Sequence, residues 1–266
     1  MVKKVSAWIY ILIVLAFIYL PIAFIIVYSF TTSKVIGSWS GFSFDLYRQI
    51  FVGAESAKIL GALKNTLVLG ISASILATIL GTSGAIGIHN LTKKAQKAFS
   101  TINQVPILNA DIVTGISLLL LFVMFGINRG FVTLLICHVA FCTPYVVLSV
   151  LPRLRQMDNS VYEAALDLGA TPMRALWKIV IPEIMPGVIS GFLLAFTLSI
   201  DDFVITVFNN GSFQTLSTFI YADARKGGLT PSLRALSTLI FVFVLALLLI
   251  VNIRSRRAEK HAVKLK

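Results

Sequence analysis

Three carboxylates stand inside apolar stretches of this chain: Asp111, Asp201 and Asp202. No Lys or Arg lies beside them within those stretches, because Lys64, Glu183 and Arg234 fall at the edges. A carboxylate in a low-dielectric interior is costly unless it is paired, hydrated or protonated. An acidic set without bases therefore points to a route for a cation. Two structural readings stay open beside it. A base on a partner subunit would pair with the acids, or protonated carboxyls would hydrogen-bond neighbouring helices. The flanking residues sharpen the picture. In Pro106-Ile107-Leu108-Asn109-Ala110-Asp111 the proline is expected to break a helix, with Asn109 or Asp111 capping its restart. Broken helices at membrane depth belong beside a cavity. Ser199-Ile200-Asp201-Asp202-Phe203 is read as one helix. Its two carboxylates are then about 100° apart and cannot face the same way. One is expected to face the cavity and the other a partner subunit.

Little else in the sequence could do covalent chemistry. There is no G-x-x-x-x-G-K-[ST] phosphate loop, so nucleotide hydrolysis is not expected on this chain. No nucleophile–base pair and no metal-ligand spacing is present, which argues against an enzyme. Cys137 and Cys142 lie in one apolar run at a spacing that does not stack them on a helix face. They read as small apolar fillers. His89, His138 and His261 are scattered. His138 lies within an apolar run and needs a polar partner, which is read as a helix–helix contact.

The second feature is a polar loop at 152–184. Ser160 and Glu163 have capping-box spacing at a helix start. Gly169 is placed as a helix stop. Thr171 precedes Pro172 as a second N-cap, and Pro182 is expected to close that second helix. Ala164 and Ala165 on the first helix would let a partner approach the backbone closely. The predicted result is a helix–glycine–helix knob able to receive force from a soluble protein.

The residues Glu163-Ala164-Ala165, then Gly169, then Ile179, Ile181 and Pro182 fit the pattern E-A-A-x3-G-x9-I-x-L-P, with Ile181 in place of Leu. This loop resembles the EAA loop of ABC-importer permeases. Asn109-Ala110-Asp111-Ile112-Val113 and Phe196-Thr197-Leu198-Ser199-Ile200-Asp201-Asp202-Phe203 extend the likeness to permeases of spermidine/putrescine importers. The resemblance runs over nearly the whole chain. It implies the type I ABC importer permease fold and a non-catalytic subunit of a bacterial inner-membrane importer. It further implies a homologous second permease, two copies of an ATPase using ATP and Mg, and an external polyamine-binding protein. No cofactor is expected on this chain. Permeases for ferric iron and other solutes share the loop, so another cationic solute remains an alternative, as does an ion-coupled cation carrier. The acid-only interior fits a polycation and argues against anions.

These residues need an apolar frame, and the composition supplies one. Of 266 residues 57% are hydrophobic and 13% charged, with a mean hydropathy of +0.90, which excludes a soluble domain. Six apolar runs are read as membrane helices, at 8–30, 65–88, 105–125, 131–151, 185–208 and 233–253. They predict an all-α membrane protein of one domain, 1–266, with core spans over 65–253. The first run follows Lys3-Lys4 but is too long for a signal peptide and reads as an uncleaved span. With six spans both termini share a side. That side carries 15 of the 23 Lys and Arg residues, so termini and polar loop are expected to be cytoplasmic. The net charge of +12 is accounted for by this topology and by anionic lipid, not by nucleic acid. Arg254-Ser255-Arg256-Arg257 reads as a stop-transfer flank. Gly81, Gly84 and Gly87, and the pair Gly187 and Gly191, mark expected close helix contacts. The external loops are 31–64, with a short helix expected from an Asp45 cap to about Val52, and 209–232, with Gly211, Gly227, Gly228 and Pro231.

Overall fold

The computed structural model describes residues 2–33, 37–226 and 230–246. The helices are α1 (Val2–Tyr28), α2 (Asp45–Val52), α3 (Ser56–His89), α4 (Lys93–Leu108), α5 (Asp111–Met124), α6 (Phe131–Gln156), α7 (Asn159–Asp167) and α8 (Pro172–Ala175). A π turn (Leu176–Val180) leads into α9 (Ile181–Asp201), followed by α10 (Val204–Asn209), α11 (Leu216–Arg225) and α12 (Ser232–Ala246). Among the described residues the one β feature is a single bridge between Thr31 and Phe42. Helices suit hydrocarbon, since every backbone N–H and C=O then bonds within its own segment.

Among the described residues four helices are long and apolar enough to cross a bilayer: the Tyr10–Tyr28 part of α1, α3, α6 and the run Pro172–Asp201. Helices α4 and α5 form a fifth crossing only as a pair bent by 96°. The apolar α12 covers the start of the sixth expected span. The rest of that span, the basic tail from Arg254, and Gly227 and Gly228 lie outside the described residues. Two expected spans are corrected. The run at 105–125 is divided between α4 and α5, and the break falls at Asn109–Ala110. Pro106 sits inside α4 without breaking it, in its last turn. The run at 185–208 ends as a helix at Asp201 and resumes as α10.

The chain groups into two compact units, Met1–Gly61 with Ile220–Lys266, and Ala62–Phe219. In the first unit an aromatic cluster follows α1. Phe30 stacks on Phe42 at 5.5 Å and meets Tyr47 at 5.2 Å, and Tyr47 shares a hydrogen bond of 2.7 Å with Ser29. Helix α2 spans the predicted residues, but Asp45 is its first residue and not its cap. The Asp45 amide donates instead to the Ser43 hydroxyl at 3.0 Å. Exposed aromatic side chains here, Trp39, Phe42 and Phe44, suit the bilayer interface.

In the second unit α6 is the centre. It contributes Cys137, Phe141, Cys142, Val146, Val147, Val150, Leu151 and Leu154 to the core, against Ala77 and Ala85 of α3, Phe122 of α5 and Ile184 and Ala195 of α9. Both thiols are buried there and unpaired. Gly187 and Gly191, four apart, lie on one face of α9 against α6. A Cβ on Gly187 would stand 3.0 Å from the Ser149 carbonyl, and one on Gly191 3.3 Å from Val146 Cα. On α3 only one end of the glycine series packs this tightly. A Cβ on Gly81 would meet Val146 Cβ at 2.6 Å, whereas Gly87 has nothing within 4 Å. A spacing of three drifts about 60° per step around a helix, which turns Gly87 away. Asn65 Nδ2 donates to the Gln214 carbonyl at 2.9 Å, and the Leu216 amide donates to Thr66 Oγ1 at 2.8 Å, so α3 anchors the segment that leads into α11.

Candidate functional site

The three aspartates occupy two helix breaks, and the breaks treat them differently. Asp111 is the first residue of α5, where a negative charge complements the exposed N–H groups. Ala110, not Asn109 or Asp111, holds the cap position, without a side-chain hydrogen bond. Asn109 Nδ2 reaches across the elbow to Thr114 Oγ1 at 3.2 Å. A depression of about 310 Å³ lies in this elbow, lined by Val105, Pro106 and Asn109 before the break, Thr114 and Ser117 after it, and Phe141 of α6. The Asp111 carboxylate itself is exposed.

Asp201 and Asp202 are not on one helix. Asp201 is the last residue of α9, and Asp202 adopts ψ 126° and leaves it. Asp201 is exposed. The Asp202 side chain is only 4% exposed and caps α10 from within the chain. Its Oδ1 accepts from the Ile205 amide at 3.2 Å, and its Oδ2 from the Thr206 amide at 2.8 Å and the Thr206 hydroxyl at 2.7 Å. The expected partner for the inward acid is therefore not another subunit but α10 itself.

His138, 1% exposed, completes this cluster and does have the polar partners its position requires. Its Nδ1 lies 2.7 Å from Ser199 Oγ, and its Nε2 3.0 Å from Thr206 Oγ1 and 3.6 Å from Asp202 Oδ2. With the carboxylate ionised and the ring neutral, one proton arrangement satisfies every group. Ser199 donates to Nδ1, Nε2–H donates to Thr206, and Thr206 donates to Asp202. Ser199 and Thr206 carried no sequence signal of their own. Their placement opposite a buried histidine appears only once the helices are packed.

The two breaks are joined by α5 and α10, which pack on each other. Buried Asn209 donates to the Gly115 carbonyl at 3.0 Å and to the Ile205 carbonyl at 3.0 Å. A Cβ on Gly115 would stand 3.2 Å from Ile205 Cα. Gly115 lies about one turn after Asp111, and Ile205 about one turn after Asp202. Among the described residues, the Asp111 and Asp201 side chains carry no hydrogen bond or ion pair, and no three His, Cys, Asp or Glu side chains gather as a metal site.

The polar loop folds as two helices around Gly169, with two corrections. The first helix begins at Asn159, and its cap is Asp158, which accepts from the Ser160 amide at 3.0 Å. Ser160 is thus inside the helix and does not form the capping box with Glu163. The Ser160 amide and hydroxyl hold the Asp158 carboxyl below its usual range. The cap therefore persists at neutral pH and is lost only as pH falls through that lowered range. Gly169 has φ +85° and forms a paired turn at the end of α7. Its amide donates to the Leu166 carbonyl at 2.9 Å, and the Ala170 amide to the Ala165 carbonyl at 3.0 Å. Thr171 caps α8 through the Arg174 amide at 3.4 Å, with Pro172 at the first position.

Pro182 does not close the second helix. The helical run continues from Pro172 to Asp201. The π turn before Pro182, with the Ile181 amide reaching Leu176, absorbs the hydrogen bond that proline cannot make. The second helix of the loop is thus continuous with the fifth span. Ala175, Val180 and Ile184 face the core, with Ala165, Ile179 and Ile181 half-buried. Glu163, Ala164, Gly169 and Pro182 are exposed. So are Val161, Met173, Trp177 and Leu168, the last at 89%. Exposed large apolar side chains of this kind mark surfaces that contact another protein or the membrane.

Residues 78–261 match the family described as binding-protein-dependent transport system inner membrane component. The chain is 35% identical to the putrescine transport system permease protein PotI of Escherichia coli over 97% of this chain and 94% of that protein. It is 36% identical to the spermidine/putrescine transport system permease protein PotC of Haemophilus influenzae, over 92% and 94% respectively. A solved bacterial ABC transporter involved in the import of the acidic polysaccharide alginate superposes with a TM-score of 0.73 at 17% identity, covering 96% of both chains. A methionine ABC transporter, MetNI, in an inward-facing conformation gives 0.62 at 15% identity over 75% of this chain and 95% of that one. At such identities these two structures speak for the fold alone.

Proposed function

The chain belongs to the binding-protein-dependent transport system inner membrane component family, and on that premise we propose that this ABC-importer permease subunit carries part of a polyamine route. The observation that supports the substrate is the pair of exposed carboxylates, Asp111 and Asp201, at two helix breaks joined through Gly115, Ile205 and Asn209. Putrescine and spermidine carry ammonium groups spaced along a flexible chain, and acids on separate elements can meet two of them in turn. Ferric iron asks for several hard oxygen ligands at one point, and the described residues offer no such cluster. The relatives named for putrescine and spermidine agree with this reading.

Hydrolysis of ATP with Mg takes place on two copies of a separate ATPase, docked through Glu163, Ala164, Ala165, Gly169, Ile179 and Pro182. The exposed Leu168 and Trp177 beside them supply the apolar contact. A homologous second permease completes the pathway, and an external binding protein delivers the polyamine. The complex of all four chain types in liposomes, with the binding protein outside, should take up labelled putrescine or spermidine only when ATP is inside. Uptake by this chain alone, driven by membrane potential, would overturn the proposal.

The subunit sits in the bacterial inner membrane with both termini and the polar loop cytoplasmic, on the strength of the basic-residue asymmetry. Alkaline phosphatase fused after Lys226 should be active, and after Leu91 or Lys266 inactive. The opposite pattern would place the loop outside and remove the ATPase contact.

A further inference from the structure

The fifth span is interrupted at Asp202–Phe203: α9 ends at Asp201, its last backbone bond running from the Asp202 amide to the Leu198 carbonyl, and α10 starts at Val204. A side chain from a third element also crosses this break. His138 of α6 takes Ser199 on the last turn of α9 with one ring nitrogen and Thr206 on the first turn of α10 with the other, at 2.7 and 3.0 Å. Thr206 passes the chain to Asp202, which also holds two α10 amides. Ser217 Oγ adds a bond to the Asp202 carbonyl at 3.1 Å. Asp201 is therefore pinned two residues before and one residue after itself. Ser199 and Asp201 are about 200° apart around the helix. Fixing Ser199 inward against α6 thus holds the Asp201 carboxylate outward, in agreement with a buried Ser199 and an exposed Asp201.

We infer that His138 is a positioning residue for transport: by clamping Ser199 and Thr206 across the break it fixes the direction in which Asp201 meets the substrate cation. The inference rests on the reading of Asp201 as a pathway group. A neutral ring suits the task, because one face must accept from a hydroxyl and the other donate to one, and imidazole does both on a rigid frame. An aliphatic side chain there would take the acceptor from the Ser199 hydroxyl and the donor from the Thr206 hydroxyl, both buried.

The test is a double-mutant cycle on polyamine uptake by the full complex, with saturating binding protein and internal ATP. His138→Asn leaves an amide oxygen near the Nδ1 position to accept from Ser199, but loses Thr206. His138→Gln reaches the Nε2 position and keeps Thr206, but loses Ser199. Each severs one half of the clamp with a polar side chain. Uptake with His138→Asn is expected to fall about tenfold in the native background and by less than about twofold when Asp201→Asn is already present. Equal losses in both backgrounds would make His138 a general structural residue and overturn the inference, while leaving the Asp201 reading intact. Native uptake with His138→Asn and His138→Gln would also overturn it. Loss of co-purification with the second permease in both variants would assign His138 to folding, with the same result. Wild-type uptake with Asp201→Asn alone would remove the pathway reading first, and this inference with it.

Discussion

Gly169→Val should lower ATP-driven uptake about tenfold or more while the subunit remains in the membrane and co-purifies with its partners. Space is not the obstacle, because a Cβ at Gly169 would meet nothing within 4 Å. Conformation is. The residue sits at φ +85°, where a β-branched side chain is strained by about 1–3 kcal/mol. That strain corresponds to roughly a five- to 150-fold smaller population of the native turn. The turn sets the angle between α7 and α8, because the Gly169 and Ala170 amides close it on the Leu166 and Ala165 carbonyls. When it opens, α7 and the exposed Leu168 lose their fixed place relative to the helical run that starts at Pro172 and enters the fifth span. Gly169→Asn should retain most uptake, since Asn tolerates the left-handed region. The decisive quantity is polyamine transported per ATP hydrolysed. If Gly169→Val keeps that ratio and the uptake rate, the turn does not couple the two events.

The turn at Gly169 and the spans at 8–30, 65–88 and 131–151 were legible in the sequence for one physical reason: their signals are local. Gly169, Thr171 and Pro172 each act through their own backbone torsion or the next amide, so their spacing alone locates the turn between α7 and α8. Long apolar runs locate the spans because each must satisfy its own backbone. The errors arise where two local signals compete. Asp158 and Ser160 are both good caps, and the acid two residues earlier wins by taking the Ser160 amide itself. Pro182 and Pro106 read as breaks, yet a π turn accommodates the first and the last turn of α4 accommodates the second. The true breaks, at Asn109–Ala110 and Asp202–Phe203, carry no proline. The second is held by non-local bonds from His138, 61 and 68 residues from its partners. Such contacts leave no periodicity. A histidine in an apolar run shows only that some polar group must satisfy it.

The same geometry separates the aspartates into two kinds, and one experiment shows it. Asp111→Asn and Asp201→Asn should each lower polyamine uptake by about tenfold or more, with expression and assembly unchanged. Both carboxylates are exposed, and neither has a hydrogen bond or ion pair among the described residues, so neutralising them removes no internal bond. What is lost is attraction for the passing cation. At an effective dielectric of about 20 a charge pair at 4 Å is worth roughly 4 kcal/mol before desolvation. The net value must be smaller, or the ammonium group would not leave for the next site. A net of about 1.5 kcal/mol already gives the tenfold change. Asp202→Asn should behave differently. Its two oxygens hold two α10 amides and the Thr206 hydroxyl in a buried site. The amide can keep one acceptor but turns an NH2 group toward a donor, at about 1.5–3 kcal/mol for the lost charge-assisted bond. Reduced expression or thermal stability of the purified complex, rather than a pure transport defect, is therefore its expected signature. If Asp111→Asn and Asp201→Asn transport at wild-type rates in ATP-loaded vesicles, the exposed acids do not line the route. Loss of uptake with native stability in Asp202→Asn would instead show that the buried carboxylate is reached by the substrate during transport.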